Sequence, residues 1–87
     1  MARYSVSIKR SALKELEAVA QKTDRQRLTA RIQNLAGAPR PAGCEKLAGY
    51  DDRYRVRQGD YRVVYAVDDA EQIVTIFKIG HRREVYR

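Results

Sequence analysis

A chain of 87 residues holds one domain, and a domain that small buries only roughly 60 to 65% of the surface its unfolded form exposes, so there is room for one core and one site. Eighteen Lys and Arg against eleven Asp and Glu leave a formal net charge of +7, which favours a polyanionic partner, while 44% hydrophobic residues in periodic blocks exclude a disordered tail. The lone Cys44 excludes an internal disulfide. No apolar run is long enough to span a membrane and Met1 to Arg10 lacks the core of a signal peptide, so a cytoplasmic protein is expected.

Tyr4, Val6 and Ile8 alternate with polar residues, which predicts a first strand with one buried face. Ser11 is the expected cap of a short helix ending near Gln21, with Leu13, Leu16, Val19 and Ala20 on its apolar side. Thr23 and Gln26 have capping-box spacing, and Leu28, Ile32 and Leu35 recur at helical intervals until Gly37 and Pro39 stop the chain. Gly37 to Gly49 reads as a loop whose residues Lys46 to Ala48 could join a sheet edge.

From Tyr54 the period changes to that of strands. Tyr54 and Val56, then Tyr61, Val63, Tyr65 and Val67, then Ile73 to Ile79 are separated by turn signals at Gly59 and at Asp68-Asp69. The last of these is apolar on both faces apart from Thr75 and Lys78, which predicts a central position. The expected fold is a single α+β, two-layer domain over residues 1–87, in the order β-α-α-β-β-β, with two N-terminal helices packed on a mainly antiparallel sheet. The sequence has no repeat, no Gly-rich phosphate loop and no metal-ligand cluster, and with a single His neither a metal nor another cofactor is expected.

Strand alternation puts Arg55 and Arg57 on one face, opposite Tyr54 and Val56. A two-residue turn at Gly59-Asp60 would pair Arg57 with Arg62 and Val56 with Val63; a three-residue turn over Gln58 to Asp60 would send Arg62 to the other face. The first register concentrates like charge, which costs a sheet stability unless an anion occupies the surface. The cations of this hairpin are all Arg, whose planar fork matches phosphate oxygens; a solvated face balanced by Asp51, Asp52 or Asp60 is the plainer reading. Gly80 is expected to let the chain bend into a tail carrying His81, Arg82, Arg83 and Tyr86.

These segments, Tyr54-Arg55-Val56-Arg57, Tyr61-Arg62-Val63-Val64-Tyr65 and Ile79-Gly80-His81-Arg82-Arg83-Glu84-Val85-Tyr86, in this order behind a strand and a helix pair, resemble the RelE family of bacterial toxins over nearly the whole chain. The resemblance implies a ribosome-dependent endoribonuclease of a type II toxin–antitoxin system, with messenger RNA on the ribosome as substrate and a cognate antitoxin as partner. It implies that Arg55, Arg57, Arg62, Arg82 and Tyr86 form the site, with Arg83 a further RNA contact. The family often carries Lys where this chain has Arg55 and Arg57, and a guanidinium does not readily give up a proton. That leaves the general base open: His81, the one side chain of the type that changes charge near neutral pH, is the candidate, with a structural histidine as the alternative. The chain ends at Arg87, so the extra C-terminal helix of some relatives is expected to be missing. The competing functions are a ParE-like gyrase-inhibiting toxin and a nucleic-acid-binding module without catalysis.

Overall fold

The computed structural model describes residues 3–81. Strand β1 (Ser5–Ile8) leads into helices α1 (Arg10–Glu17) and α2 (Lys22–Asn34), followed by a two-residue strand β2 (Glu45–Lys46) and a meander of β3 (Arg53–Gln58), β4 (Tyr61–Asp68) and β5 (Ile73–His81). The five strands form one sheet in the order β1-β5-β4-β3-β2, with β1 parallel to β5 and the other pairs antiparallel. β1 can lie parallel beside β5 because the helix pair and strands β2 to β4 lie between them in the chain, supplying the long connection that parallel pairing requires. The expected two-layer α+β architecture is therefore present, and the edge strand that Lys46 to Ala48 could form lies at Glu45–Lys46 as β2.

Both helices start two residues earlier than the capping pattern predicts. α1 begins at Arg10 and α2 at Lys22; the residues before them, Lys9 and Gln21, make no side-chain cap, so Ser11 and Thr23 lie inside the helices. Tertiary contacts set these ends instead. The Lys9 N–H stays bonded to the Ile76 carbonyl of β5 at 3.0 Å while its own carbonyl already accepts from Leu13. The Arg25 guanidinium donates to the Val19 carbonyl at 2.5 Å and the Ala20 carbonyl at 3.2 Å, closing the connection between helices; α1 has already ended at Glu17, short of Gln21.

The buried stripe of α1 and the turn after it is Ala12, Leu16 and Val19, whereas Leu13 is 42% exposed and Ala20 is also exposed. The reason is Glu15. One of its carboxylate oxygens accepts from the Ile79 N–H at 2.9 Å and the other from Lys78 Nζ at 3.1 Å, and the helix rotation that brings Glu15 to β5 turns Leu13 outward. Leu28, Ile32 and Leu35 complete the helical layer, packed on Val56, Val63, Tyr65, Val67, Val74, Ile76 and Ile79.

Strand β5 is interior, between β1 and β4, but β2 at the far edge makes β4 the middle strand. A bulge at Phe77, where Tyr65 pairs with Ile76 and Val64 with Lys78, keeps Ile76 and Ile79 on the helix side despite their odd spacing. β5 does not bend away at Gly80; it continues to His81, with Gly80 opposite Arg62.

At the end of the sheet near the β4–β5 turn, polar groups are fully engaged. Asp69 accepts from Arg40 Nη1 at 3.1 Å, from Arg40 Nη2 at 2.7 Å and from the Tyr4 hydroxyl at 2.6 Å, and Arg40 Nε donates to the Tyr54 hydroxyl at 2.9 Å. These bonds hold the Asp69 carboxyl below the usual carboxylate range and push the Tyr4 phenol up. Tyr65, stacked on Tyr54 with ring centroids 5.9 Å apart, donates to the Pro39 carbonyl at 2.7 Å, and burial pushes its phenol up. This clasp ties the loop after α2 to the sheet. Among the described residues no helix is long and apolar enough to cross a membrane.

Candidate nucleic-acid interface

Gly59 sits at φ 61° in a turn whose second residue, Asp60, does not share the positive φ, so the hairpin closes with two residues and Gln58 pairs with Tyr61. A glycine at the first central position is what a II′-type turn needs. This fixes the register: Arg57 pairs with Arg62, and Val56 with Val63. Three guanidiniums therefore share the sheet face that points away from the helices, and Val56, Val63 and Ile79 take the covered face. Gly80, the next residue across from Arg62, adds no side chain to that face.

The three arginines are held differently. Arg57 is exposed, and its Nε donates to the Gly59 carbonyl at 2.9 Å, which directs the rest of the fork outward. Arg55 Nε lies 3.3 Å from Glu45 Oε1, a carboxylate brought alongside by the short β2 pairing of Glu45 with Arg55. Arg62 is only 6% exposed; its Nη1 donates to the Tyr61 carbonyl at 3.4 Å. A buried charge is stable only with partners around it, so Arg62 is the anchored member of the group and Arg57 the reaching one.

His81 does not join them. It pairs with Tyr61, the rings meet edge to face at 5.8 Å, and both line a cavity of about 350 Å³ on the helix side with Glu15, Ala18, Val19 and Ile79. Alternation along β5 gives Gly80 to the arginine face and His81 to the opposite one. Arg82, Arg83 and Tyr86 lie outside the described residues.

Two features of this face escaped the sequence pattern. Arg53 continues the alternation of Arg55 and Arg57, and its guanidinium lies over the rings of Tyr50 and Phe77. Alternation alone could have found Arg53, but nothing local pairs it with rings 3 and 24 positions away. Glu45 came into view only through the β2 pairing. Among the described residues no group of three His, Cys, Asp or Glu could hold a metal ion.

A helix pair on one face of a mixed sheet, with a cluster of arginines on the other, defines a small α+β protein with a basic sheet face. Residues 6–86 match the family model of the ParE toxin of type II toxin–antitoxin systems. The toxin RelE of Mycobacterium tuberculosis is 31% identical over 84 residues, covering 97% of this chain and 87% of that protein. Among solved structures, the archaeal RelE–RelB complex from Pyrococcus horikoshii matches with TM-score 0.82 at 32% identity, covering 92% of this chain and 96% of the other. The isolated RelE toxin of E. coli matches with TM-score 0.78 at 31% identity, covering 95% and 90%. The chain belongs to the RelE/ParE family of toxins of toxin–antitoxin systems.

Proposed function

We propose that this toxin is an endoribonuclease that cuts messenger RNA in the decoding site of the ribosome and so stops translation. The observation that carries the reading is the Arg57–Arg62 pair with Arg55 beside it on the sheet face that points away from the helices. In this reaction a ribose 2′-hydroxyl attacks the adjacent phosphate, the 5′-oxygen leaves, and the products are a cyclic phosphate and a free 5′-hydroxyl. Negative charge accumulates on the phosphate oxygens in the transition state, and preorganised guanidiniums are suited to stabilise it. Arg62 is the pre-set member, Arg57 and Arg55 close on the other oxygens, and Arg82, Arg83 and Tyr86 extend the RNA contact. The ribosome supplies much of the substrate positioning, which allows so small a protein to act on one bond.

Guanidiniums do not take the 2′-hydroxyl proton. Of the two candidates for the base, the geometry favours Glu45, which stands on the arginine face within 3.3 Å of Arg55, over His81, which the register turns to the helix side. Relatives solved as RelE–RelB complexes support an antitoxin partner, and the basic face is the surface such a partner would neutralise. The cytoplasm, where ribosomes translate, is the proposed place of action.

The family model that matches is that of ParE, which favours a second reading, a gyrase-directed toxin. Induction in growing cells separates the two. The ribonuclease reading predicts immediate arrest of protein synthesis with messages cut inside codons; gyrase-linked DNA breaks with intact messages would replace it.

A further inference from the structure

Arg53 opens β3 on the same face as Arg55 and Arg57, yet its setting is unlike theirs. Its Cζ lies 4.2 Å from the ring centroid of Phe77 and 4.7 Å from that of Tyr50, so two aromatic rings pack against the guanidinium. Nε is buried without a hydrogen-bond partner. Among the described residues no carboxylate lies within ion-pairing distance of it, in contrast to Arg55 with Glu45 and Arg40 with Asp69. Cation–π contacts fix the plane of the group but do not neutralise its charge. Held by the two rings, the fork has its N–H groups left to donate, the geometry that suits phosphate oxygens. Lys9 Nζ, 5.1 Å from the Phe77 ring, adds a second cation nearby.

Alternate residues of a strand stand about 6.8 Å apart, so Arg53, Arg55 and Arg57 form a straight ladder of cations. That step is close to the separation of consecutive phosphates along an extended single strand. We propose that Tyr50, Arg53 and Phe77 form a flanking-nucleotide subsite, in which RNA runs along β3 and Arg53 takes a phosphate two steps away from the Arg57–Arg62 end. Tyr50, 49% exposed, offers the free side of its ring to a base. The subsite rests on the RNA reading for its ligand, although it can be measured without cleavage.

The test is fluorescence anisotropy of the full-length protein with labelled single-stranded RNAs of three and six nucleotides. The trimer has too few phosphates to reach from Arg57 to Arg53. Arg53→Ala is expected to flatten the salt dependence of hexamer binding by about 0.7 log units per log salt and to leave trimer binding unchanged. Tyr50→Ala weakens the hexamer at least fivefold, and Tyr50→Phe restores it. Hexamer affinity and salt slope unchanged in Arg53→Ala, or no hexamer binding by the wild type, overturns the subsite. Loss of antitoxin affinity in Arg53→Ala with RNA binding intact also overturns it and reassigns Arg53 to an antitoxin carboxylate. Absence of ribosome-dependent cleavage alongside Arg53-dependent hexamer binding would remove the ribonuclease reading and leave the subsite standing.

Discussion

Arg40 and the arginines of β3 and β4 are the same residue type put to opposite uses. Arg40 is met by two carboxylate oxygens of Asp69 and by the Tyr54 hydroxyl, so its charge is spent within the fold. On the sheet face that points away from the helices four guanidiniums, those of Arg53, Arg55, Arg57 and Arg62, are gathered on two adjacent strands, with the Glu45 carboxylate beside Arg55. Cross-strand pairing of Arg57 with Arg62 adds repulsion that a purely structural surface would have no reason to keep. A lone arginine paired with a carboxylate ties a loop to a sheet; a concentration of arginines on one face makes a basic surface.

The contrast is sharpest in variants that remove one kind of arginine and spare the other. The largest effect is expected from an Arg55→Ala, Arg57→Ala double variant, which should abolish growth arrest while keeping the circular dichroism spectrum and melting temperature close to wild type. Wild-type arrest by this variant would remove the arginine face from the mechanism.

The next effect concerns the base. Glu45→Gln should lower the single-turnover cleavage rate by roughly a hundredfold, the usual worth of a positioned base, and His81→Gln should stay within a few-fold of wild type. The reverse order would return the proton transfer to His81 and require RNA to pass round the end of β5. Of the two, only His81 was nominated by the sequence, because histidine advertises itself by type, whereas Glu45 depends on a two-residue strand that no periodicity reveals. The arginine face was legible for the opposite reason: period-two alternation and a Gly59-Asp60 turn are local, and together they set which side chains meet. The helix starts were misread because backbone bonds to β5 and the Arg25 side chain, both tertiary, override local capping signals. Leu13 was misread for the same kind of reason, since Glu15 sets the rotation of α1.

Arg40→Ala should invert the pattern of the double variant. It lowers the melting temperature by a few degrees, the modest scale of a half-exposed ion pair, and leaves RNA affinity and its salt slope unchanged. Reduced RNA affinity at full stability would show that the clasp and the interface are one surface.

The smallest effect is in the pH dependence of stability. Asp69 has its carboxyl depressed in the folded state by Arg40 first and Tyr4 second, so its contribution is present above the unfolded carboxylate range, about pH 4, and is lost as pH falls through the folded value. Tyr4 has its phenol raised, so its contribution is present below about pH 10 and is lost as pH rises through the folded value. Asp69→Asn should therefore flatten the acid limb of a urea-midpoint against pH curve. An unchanged acid limb would mean that other carboxylates control it.

The most direct measurement of the central claim is single-turnover cleavage of a defined message by purified protein, with and without programmed bacterial ribosomes, with the ends of the products identified. The account predicts cuts only on the ribosome, cyclic phosphate and 5′-hydroxyl ends, and no cutting by the Arg55, Arg57 double alanine variant. Cutting of naked RNA at the same rate, or wild-type cutting by the double variant, would contradict it.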